Sequence, residues 1–536
     1  MPWNYGDIMD AVAPVIPGDS PAFIHGNRTI LWKDATRRSN NLARALIAKG
    51  AKPGDKVAFY MRNHPAYMET LAACFKARLT HVNVNYRYKA DEVHYIFDNS
   101  DAQTVVYGSE FRDIISQIRP KLDKVQTFIE VTDGGVPANF ANDFEQLAET
   151  GNGEPLKIER SGDDLFFIYT GGTTGMPKGV MWTHHDLRET TLAGLRRLGP
   201  VPESIPEIVE AIKLAGAGPR ILPACPLMHG TGLLTAMATM VNGGCVITLP
   251  GANFDATELW KSVDKNKPAT VVIVGDAFAK PMLKALDENP GKYDTTSITN
   301  MISSGVMWSV EVKRGLLKHI PQTALTDSFG SSESVGLGSS IMTKDGEIST
   351  AKFQIGERCL VFDENDELVQ PGSGKSGMIA QKEPIPVGYY KDAEKTAKTF
   401  RTIRGVRYAM PGDWCTVEPD GTLTLLGRGS ACINTAGEKV YPEEVEEILK
   451  LHPAVNDVLV VGVPDEKWGQ AVTAVVSVSP GASFDEEAVR AHVRDKLAGY
   501  KTPKRLLPTE ISLRAPNGKA DYKSARDFAT RALGLG

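Results

Sequence analysis

Between Lys56 and Tyr107 the chain switches repeatedly between two periodicities, and this limits its fold more than any other feature. Lys56-Val-Ala-Phe-Tyr60, Thr80-His-Val-Asn-Val84 and Gln103-Thr-Val-Val-Tyr107 are short, apolar and strand-like. The intervening Ala66–Arg78 and Asp91–Phe97 repeat apolar residues at helical spacing. Strands that alternate with helices predict an α/β domain with largely parallel sheets. The rhythm returns at Thr270-Val-Val-Ile-Val274, followed by a helical Ala277–Leu286. At 536 residues the chain exceeds a single core, so at least two domains are expected.

The pattern changes after about residue 350. Gly377-Met-Ile-Ala, Trp414-Cys-Thr-Val-Glu and Gly421-Thr-Leu-Thr-Leu-Leu426 read as short strands between Gly and Pro turns, a small antiparallel β unit. Beyond Gly427-Arg-Gly-Ser-Ala come a helix over Glu443–Lys450, strands over Val455–Val463 and Ala471–Val478, and a helix over Glu486–Leu497. That is a compact α+β unit able to fold alone. The Pro- and Gly-rich stretch Gly199–Pro223 contains an amphipathic Pro206–Ile212, read as a helical flap.

A net charge of −5 without a dense Lys/Arg cluster gives no electrostatic case for nucleic acid. No apolar run reaches membrane-spanning length, and the first residues lack the basic start and apolar run of a signal peptide. The six cysteines are scattered with no Cys-x-x-Cys pair, which argues against metal sites and disulfides and fits a reduced, cytoplasmic setting.

The chemistry concentrates at Tyr169-Thr-Gly-Gly-Thr-Thr-Gly-Met-Pro-Lys-Gly-Val180. The apolar run Asp164–Tyr169 just before it reads as a strand. Glycines after a strand let backbone N–H groups turn toward an anion, threonine hydroxyls add donors, and Lys178 adds charge. This is a phosphate cradle made of Thr170, Gly171, Gly172, Thr173, Thr174, Gly175 and Lys178. It is not the Walker loop, which ends in Gly-Lys-Ser/Thr and opens a helix. The plainer reading is a surface turn, which the joint occurrence of Thr, Gly and Lys disfavours.

This loop resembles the signature loop of the AMP-forming adenylating superfamily, which includes acyl-CoA synthetases, peptide-synthetase adenylation domains and firefly luciferases. Further motifs follow in the family's order, over roughly residues 25–525. Asp327-Ser328-Phe329-Gly330-Ser331-Ser332-Glu333 is similar to its Tyr-Gly-x-Thr-Glu segment, with Phe329 for Tyr and Ser332 for Thr. The resemblance implies an aromatic stacked on adenine, a hydroxyl at the α-phosphate and Glu333 as the Mg²⁺ ligand, the other residues of the run lying along the nucleotide. Ser304 and Gly305, in Ser303-Ser-Gly-Val306, resemble the adenine-side Gly-Gly-Ala turn. Asp413, in Pro411-Gly-Asp-Trp, resembles the ribose-binding Thr-Gly-Asp, with Arg428 as a second ribose or phosphate contact. His229, in Pro226-Leu-Met-His, is placed by the same resemblance between the carboxylate site and the thiol entry.

Gly437-Glu-Lys-Val-Tyr-Pro-Glu-Glu-Val-Glu446 resembles the family's Gly-x-x-Val-x-Pro-x-Glu-Val-Glu, which puts Gly437 beside the pantetheine arm of CoA and Lys439 among the cofactor contacts. Lys519, in Pro516-Asn-Gly-Lys, resembles the lysine that reaches substrate carboxylate and α-phosphate. The catalytic set implied is Lys519, Glu333, Ser332, Thr170 and His229. The hinge position carries Ser430 instead of the usual Asp or Lys, followed by Ala431 and Cys432. The variant is similar to a bacterial subgroup that includes fatty-acid and steroid side-chain CoA ligases.

The expected fold is therefore α/β. A large N-terminal adenylating domain, residues 1–428, has stacked, largely parallel sheets flanked by helices plus the small β unit. A small mobile α+β domain, residues 429–536, carries the lysine. The expected function is ATP-dependent acyl-CoA synthesis through acyl-AMP, with ATP, Mg²⁺ and CoA, on a largely apolar carboxylic acid. The acyl pocket is expected near Met228–Leu233, Ser303–Met307 and Gly330–Leu337, where small glycines leave room and no side chain offers to pair a second charge. Alternatives are a ligase that loads a carrier protein, a ligase for a bulky aryl or steroid side-chain acid, and a non-catalytic acyl or nucleotide sensor. Retention of Lys519 and Glu333 argues against the sensor. Only seventeen residues follow Lys519, too few for the carrier domain of a peptide synthetase. Homodimerisation is left open.

Overall fold

A computed structural model describes residues 3–170, 176–196, 199–305, 308–346, 352–435, 438–465, 468–515 and 520–535, with backbone alone at 428, 430, 434 and 439. The chain divides into two compact units: Met1–Ile348 with Lys382–Thr402 and Val406–Ala409, and Ser349–Gln381 with Ile403–Gly405 and Met410–Gly536. The boundary expected after Arg428 falls inside the second unit.

The first unit holds two sheets. One runs, in spatial order, Gly388–Tyr389, Lys178–Thr183, Leu165–Thr170, Thr80–Asn83, Lys56–Tyr60, Ala102–Gly108, Thr127–Val131 and Asn142–Asp143. Its pairings are parallel from Leu165–Thr170 to Asn142–Asp143, and the two remaining strands are antiparallel. In the other, Arg28–Leu31, Pro21–His25, Cys245–Thr248, Arg220–Pro223, Thr270–Ile273, Asn300–Ser304, Ala324–Ser331 and Ser334–Met342 lie side by side. Five consecutive pairings there are parallel, and antiparallel ones close both ends.

Strand periodicity decides the layering. Successive side chains face opposite ways, so Val57, Phe59, Phe166 and Ile168 enter one apolar cluster while Ala58, Tyr60, Phe167 and Tyr169 enter another. In the second sheet Phe23 and Val246 face the first of these clusters, and Ile24 and Ile247 face a third. The shared cluster also takes residues of the helices Tyr5–Val12, Trp32–Ala48, Pro65–Lys76 and Gly230–Val241. These helices are sandwiched between the sheets. Burial on both faces explains why the strands read as continuous apolar runs.

The amphipathic stretch after Gly199 forms the helix Ile205–Ala215. It is packed down, not a flap: Ile208 and Ile212 are buried in the shared cluster.

The second unit contains an antiparallel group with Asp413–Val417 between Leu423–Arg428 and the strand Ser376–Lys382, whose last residue belongs to the first unit. Its last part is a sheet ordered Glu438–Val440, Ile433–Thr435, Gly469–Val478, Val455–Asp465, with Arg505–Pro508 added parallel to Gly469–Val478. Helices Pro442–Lys450 and Glu486–Arg494 fill one apolar cluster with this sheet, and Tyr522–Ala532 fills another.

Candidate active site

Leu165–Thr170 and Lys178–Thr183 pair antiparallel, with Thr170 opposite Lys178. The strand that follows the glycine-rich segment begins at Lys178, where a Walker loop would open a helix. Gly171–Gly175 lie outside the described residues. At the near end of the loop, Asn83, 4% exposed, donates to the carbonyl oxygens of Tyr169 at 2.9 Å and Met228 at 2.8 Å, and accepts from the Tyr169 N–H at 2.7 Å. At the far end the Lys178 ammonium is ion-paired with Asp392. That pair holds the Asp392 carboxyl below the usual carboxylate range. Asp392 also caps the helix Ala393–Thr399, accepting from the Lys395 N–H.

In the other sheet, Asn300–Ser304 runs parallel to Ala324–Ser331, bringing Ser303 opposite Asp327 and Ser304 opposite Ser328. Open α/β sheets bind ligands beyond the carboxyl ends of their parallel strands. Ser304 and Ser328 stand at such an end. Gly305 follows with φ +84°, a conformation that favours glycine. Val306 and Met307 lie outside the described residues. Ser303 is buried and accepts from the Gly275 N–H at 2.9 Å. Asp327 is ion-paired with buried Lys313. Burial raises the Asp327 carboxyl above its ordinary range, and Lys313 opposes the shift only in part.

Ser332 and Glu333 form the tip of the hairpin whose strands pair Phe329 with Gly338 and Ser331 with Ser334. Two groups from the first sheet hold the tip. The Trp182 indole N–H donates to the Ser332 carbonyl at 2.8 Å, and the Tyr389 hydroxyl donates to Glu333 Oε1 at 2.6 Å. Glu333 is 9% exposed.

His229 is half-buried and occupies the N-cap position of the helix Gly230–Val241. The loop before it is pinned by Asn63, which donates to the Cys225 carbonyl at 2.9 Å and accepts from the Leu227 N–H at 2.7 Å. Gly232, read from sequence as leaving space, has a different reason to be small: a Cβ there would meet the Pro226 carbonyl oxygen at 2.8 Å. Met228, Leu233 and Leu337 are buried.

In the second unit, antiparallel pairing sets Asp413 directly opposite Arg428, so the two residues expected at the ribose are cross-strand neighbours. Asp413 is 6% exposed. Ser430 lies in the 3₁₀ turn Gly429–Ala431 directly after that strand. The backbone of Lys439 lies opposite Asn434 in a short hairpin. Gly437 and Lys519 lie outside the described residues. All six cysteines are free thiols. Among the described residues no cluster of His, Cys, Asp and Glu could hold a metal by itself, and no helix is long and apolar enough to cross a membrane.

Residues 10–390 match the AMP-binding enzyme family, and residues 444–519 match the AMP-binding enzyme C-terminal domain. The chain belongs to the AMP-binding enzyme family. This AMP-binding enzyme is 39% identical over 537 residues to 3-oxocholest-4-en-26-oate–CoA ligase of Rhodococcus rhodochrous, covering 98% of this chain and 96% of the relative. It is 38% identical over 532 residues, with the same coverage, to a medium/long-chain-fatty-acid–CoA/3-oxocholest-4-en-26-oate–CoA ligase of Mycobacterium tuberculosis. Its fold matches the crystal structure of an anthranilate CoA ligase in complex with anthranoyl-AMP, with a TM-score of 0.84 at 20% identity over 99% of this chain and 98% of that one. The bacterial subgroup expected from the Gly427–Glu446 motifs is the one to which these relatives belong by name.

Sequence reasoning missed Asn83, Trp182, Tyr389 and Asp392. Each sits in an apolar or ordinary helix-start context, where an Asn, Trp, Tyr or Asp reads as core or cap. Only the pairing of distant strands reveals what they touch.

Proposed function

We propose that this AMP-binding enzyme is an ATP-dependent acyl-CoA synthetase acting on a largely apolar carboxylic acid. The observation that carries the reading is the hairpin tip: buried Glu333 and neighbouring Ser332 are held by Trp182 and Tyr389, residues of the strand that begins at Lys178 and of its edge partner. A carboxylate, a hydroxyl and an ammonium are thereby built onto one framework with the strand that follows the glycine-rich segment.

In the first half-reaction a substrate carboxylate oxygen attacks the α-phosphorus of ATP. The bond from that phosphorus to the bridging oxygen breaks, and pyrophosphate leaves with the electron pair. Two anions must approach, so positioning and charge neutralisation dominate the barrier. Lys178 and the loop N–H groups hold the phosphates, Ser332 and Thr170 orient them, and Lys519 bridges carboxylate and α-phosphate. Asp413 and Arg428 take the ribose side, and Ser304, Gly305 and Asp327–Ser331 the adenine side. The residues present fit Mg²⁺: a hard cation that keeps much of its water needs one carboxylate beside phosphate oxygens, and Glu333 gives Tyr389 one oxygen and keeps another. Bound there, Mg²⁺ would supply positive charge against the polyphosphate.

In the second half-reaction the CoA sulfur attacks the acyl carbon, the bond from that carbon to the oxygen shared with phosphorus breaks, AMP departs carrying that oxygen, which came from the substrate carboxylate, and the thiol proton is released. Rotation of residues 429–536 about Ser430 exchanges Lys519 for Gly437 and Lys439, which admit the pantetheine arm. His229 lies at the thiol entry. The relatives act on medium- and long-chain fatty acids and a steroid side-chain acid, and the same class of acid is assigned here. The proposed compartment is the cytoplasm.

A panel of acids tests this. Comparing kcat/KM for C8 to C18 fatty acids, a steroid C26 acid, benzoate and dicarboxylates should favour apolar acids by at least tenfold over dicarboxylates. Preference for a dicarboxylate would refute the apolar pocket.

A further inference from the structure

We propose that Tyr389 is a positioning residue that sets the orientation of the Glu333 carboxylate toward the metal site. The inference rests on Glu333 being the metal ligand. Tyr389 is 4% exposed, on the two-residue edge strand Gly388–Tyr389 beside Lys178–Thr183, with Gly388 opposite Met181 and Tyr389 opposite Val180. The Phe400 ring, tilted and with its centroid 5.7 Å away, and the Lys395 ammonium, 4.5 Å from the Tyr389 centroid over the ring, pack against it. The packed ring leaves the hydroxyl little freedom, and it donates to Glu333 Oε1 at 2.6 Å.

An O–H···O⁻ bond of that length lies in the charge-assisted range. It fixes the last torsion of a side chain whose terminal rotation is otherwise broad and two-fold. It also occupies one oxygen, so Glu333 presents the other as a single, aimed ligand. Partners that orient metal-ligating carboxylates typically govern metal affinity by about 10- to 100-fold. The tip cannot swing as a whole, because Trp182 holds the Ser332 carbonyl. Tyr389 thus decides the remaining degree of freedom. The strand carrying Lys178 and its edge neighbour together set the geometry at both charged ends of the polyphosphate site.

The test compares Tyr389→Phe, Glu333→Gln and the double variant in the full-length enzyme. Mn²⁺ binding in the presence of α,β-methylene-ATP is read by the electron paramagnetic resonance of free Mn²⁺, with melting temperature alongside. Tyr389→Phe should weaken Mn²⁺ binding about tenfold, Glu333→Gln at least as much, and the double variant no more than Glu333→Gln alone. Nucleotide affinity without metal should stay within twofold for Tyr389→Phe. Unchanged Mn²⁺ binding in Tyr389→Phe, or additive losses in the double variant, would overturn the positioning role while leaving Glu333 as a ligand. A lowered melt with intact Mn²⁺ binding would make the bond structural only and overturn it as well. Unchanged Mn²⁺ binding in Glu333→Gln would instead remove the ligand itself, and the inference with it.

Discussion

The Lys178 ammonium is paired with the Asp392 carboxylate, so the one lysine of the phosphate loop already has a counter-ion before any nucleotide arrives. If Lys178 holds the phosphates as proposed, the polyphosphate must compete with that carboxylate. Asp392→Asn keeps a good N-cap for the helix Ala393–Thr399 and removes the competing charge. It should tighten binding of α,β-methylene-ATP by roughly two- to fivefold, what a partly exposed ion pair of up to about 1 kcal/mol can shift. Calorimetric titration measures this. Weaker binding would mean that Asp392 aims Lys178 instead of competing for it.

Asn83 ties the strand that enters the loop to the segment that carries His229 through bonds to both Tyr169 and Met228. Asn83→Ala removes all three bonds in a buried site and should cost about 2 kcal/mol or more in stability. Asn83→Asp should be worse, since it keeps the acceptor for Tyr169 N–H but turns a carboxylate oxygen toward two carbonyls. Melting temperature and the rate of pyrophosphate release should fall together, with Asp below Ala. A silent Asn83→Asp would show that the bonds to the carbonyls contribute nothing.

The alternation of strands and helices was legible because each strand buries both faces: Val57 and Phe59 go one way, Ala58 and Tyr60 the other. The order of the motifs was legible because each is local. What sequence could not reach is what depends on pairing. Asp413 and Arg428 became cross-strand neighbours only through antiparallel register, and Tyr389 met Glu333 across 56 residues of chain. The helix Ile205–Ala215 was legible from its periodicity, but its packing against the core was not, because an amphipathic face says what is buried and not by which partner. Gly232 looked like spare room and is instead a close backbone approach.

Two buried imidazoles make stability acid-sensitive. His81 donates from Nδ1 to the Phe167 carbonyl and accepts at Nε2 from the Tyr67 hydroxyl; His184 accepts at Nδ1 from the Tyr5 N–H. Burial lowers their pKa values from 6.5 to about 3 and about 4. Each binds a proton more weakly folded than unfolded, so this stabilisation is complete above 6.5 and is lost as pH falls from there toward about 4. Between neutrality and about pH 5 each group should account for roughly 2 kcal/mol of lost stability. Chemical denaturation at both pH values checks it. A flat profile would contradict the neutral assignment.

The proposed function gives Lys519 a part in the first half-reaction alone. Lys519→Ala should slow acyl-AMP formation by on the order of a hundredfold or more and spare thioester formation from supplied acyl-AMP. Equal losses in both steps would contradict that division of labour.

The most direct test of the whole account is a single-turnover experiment with enzyme, ATP, Mg²⁺ and a long-chain fatty acid. CoA is withheld and then added. The account predicts about one equivalent of pyrophosphate and enzyme-bound acyl-AMP without CoA, then equal amounts of AMP and acyl-CoA once it is supplied. Release of ADP and phosphate, or formation of acyl-CoA with no preceding acyl-AMP, would contradict it.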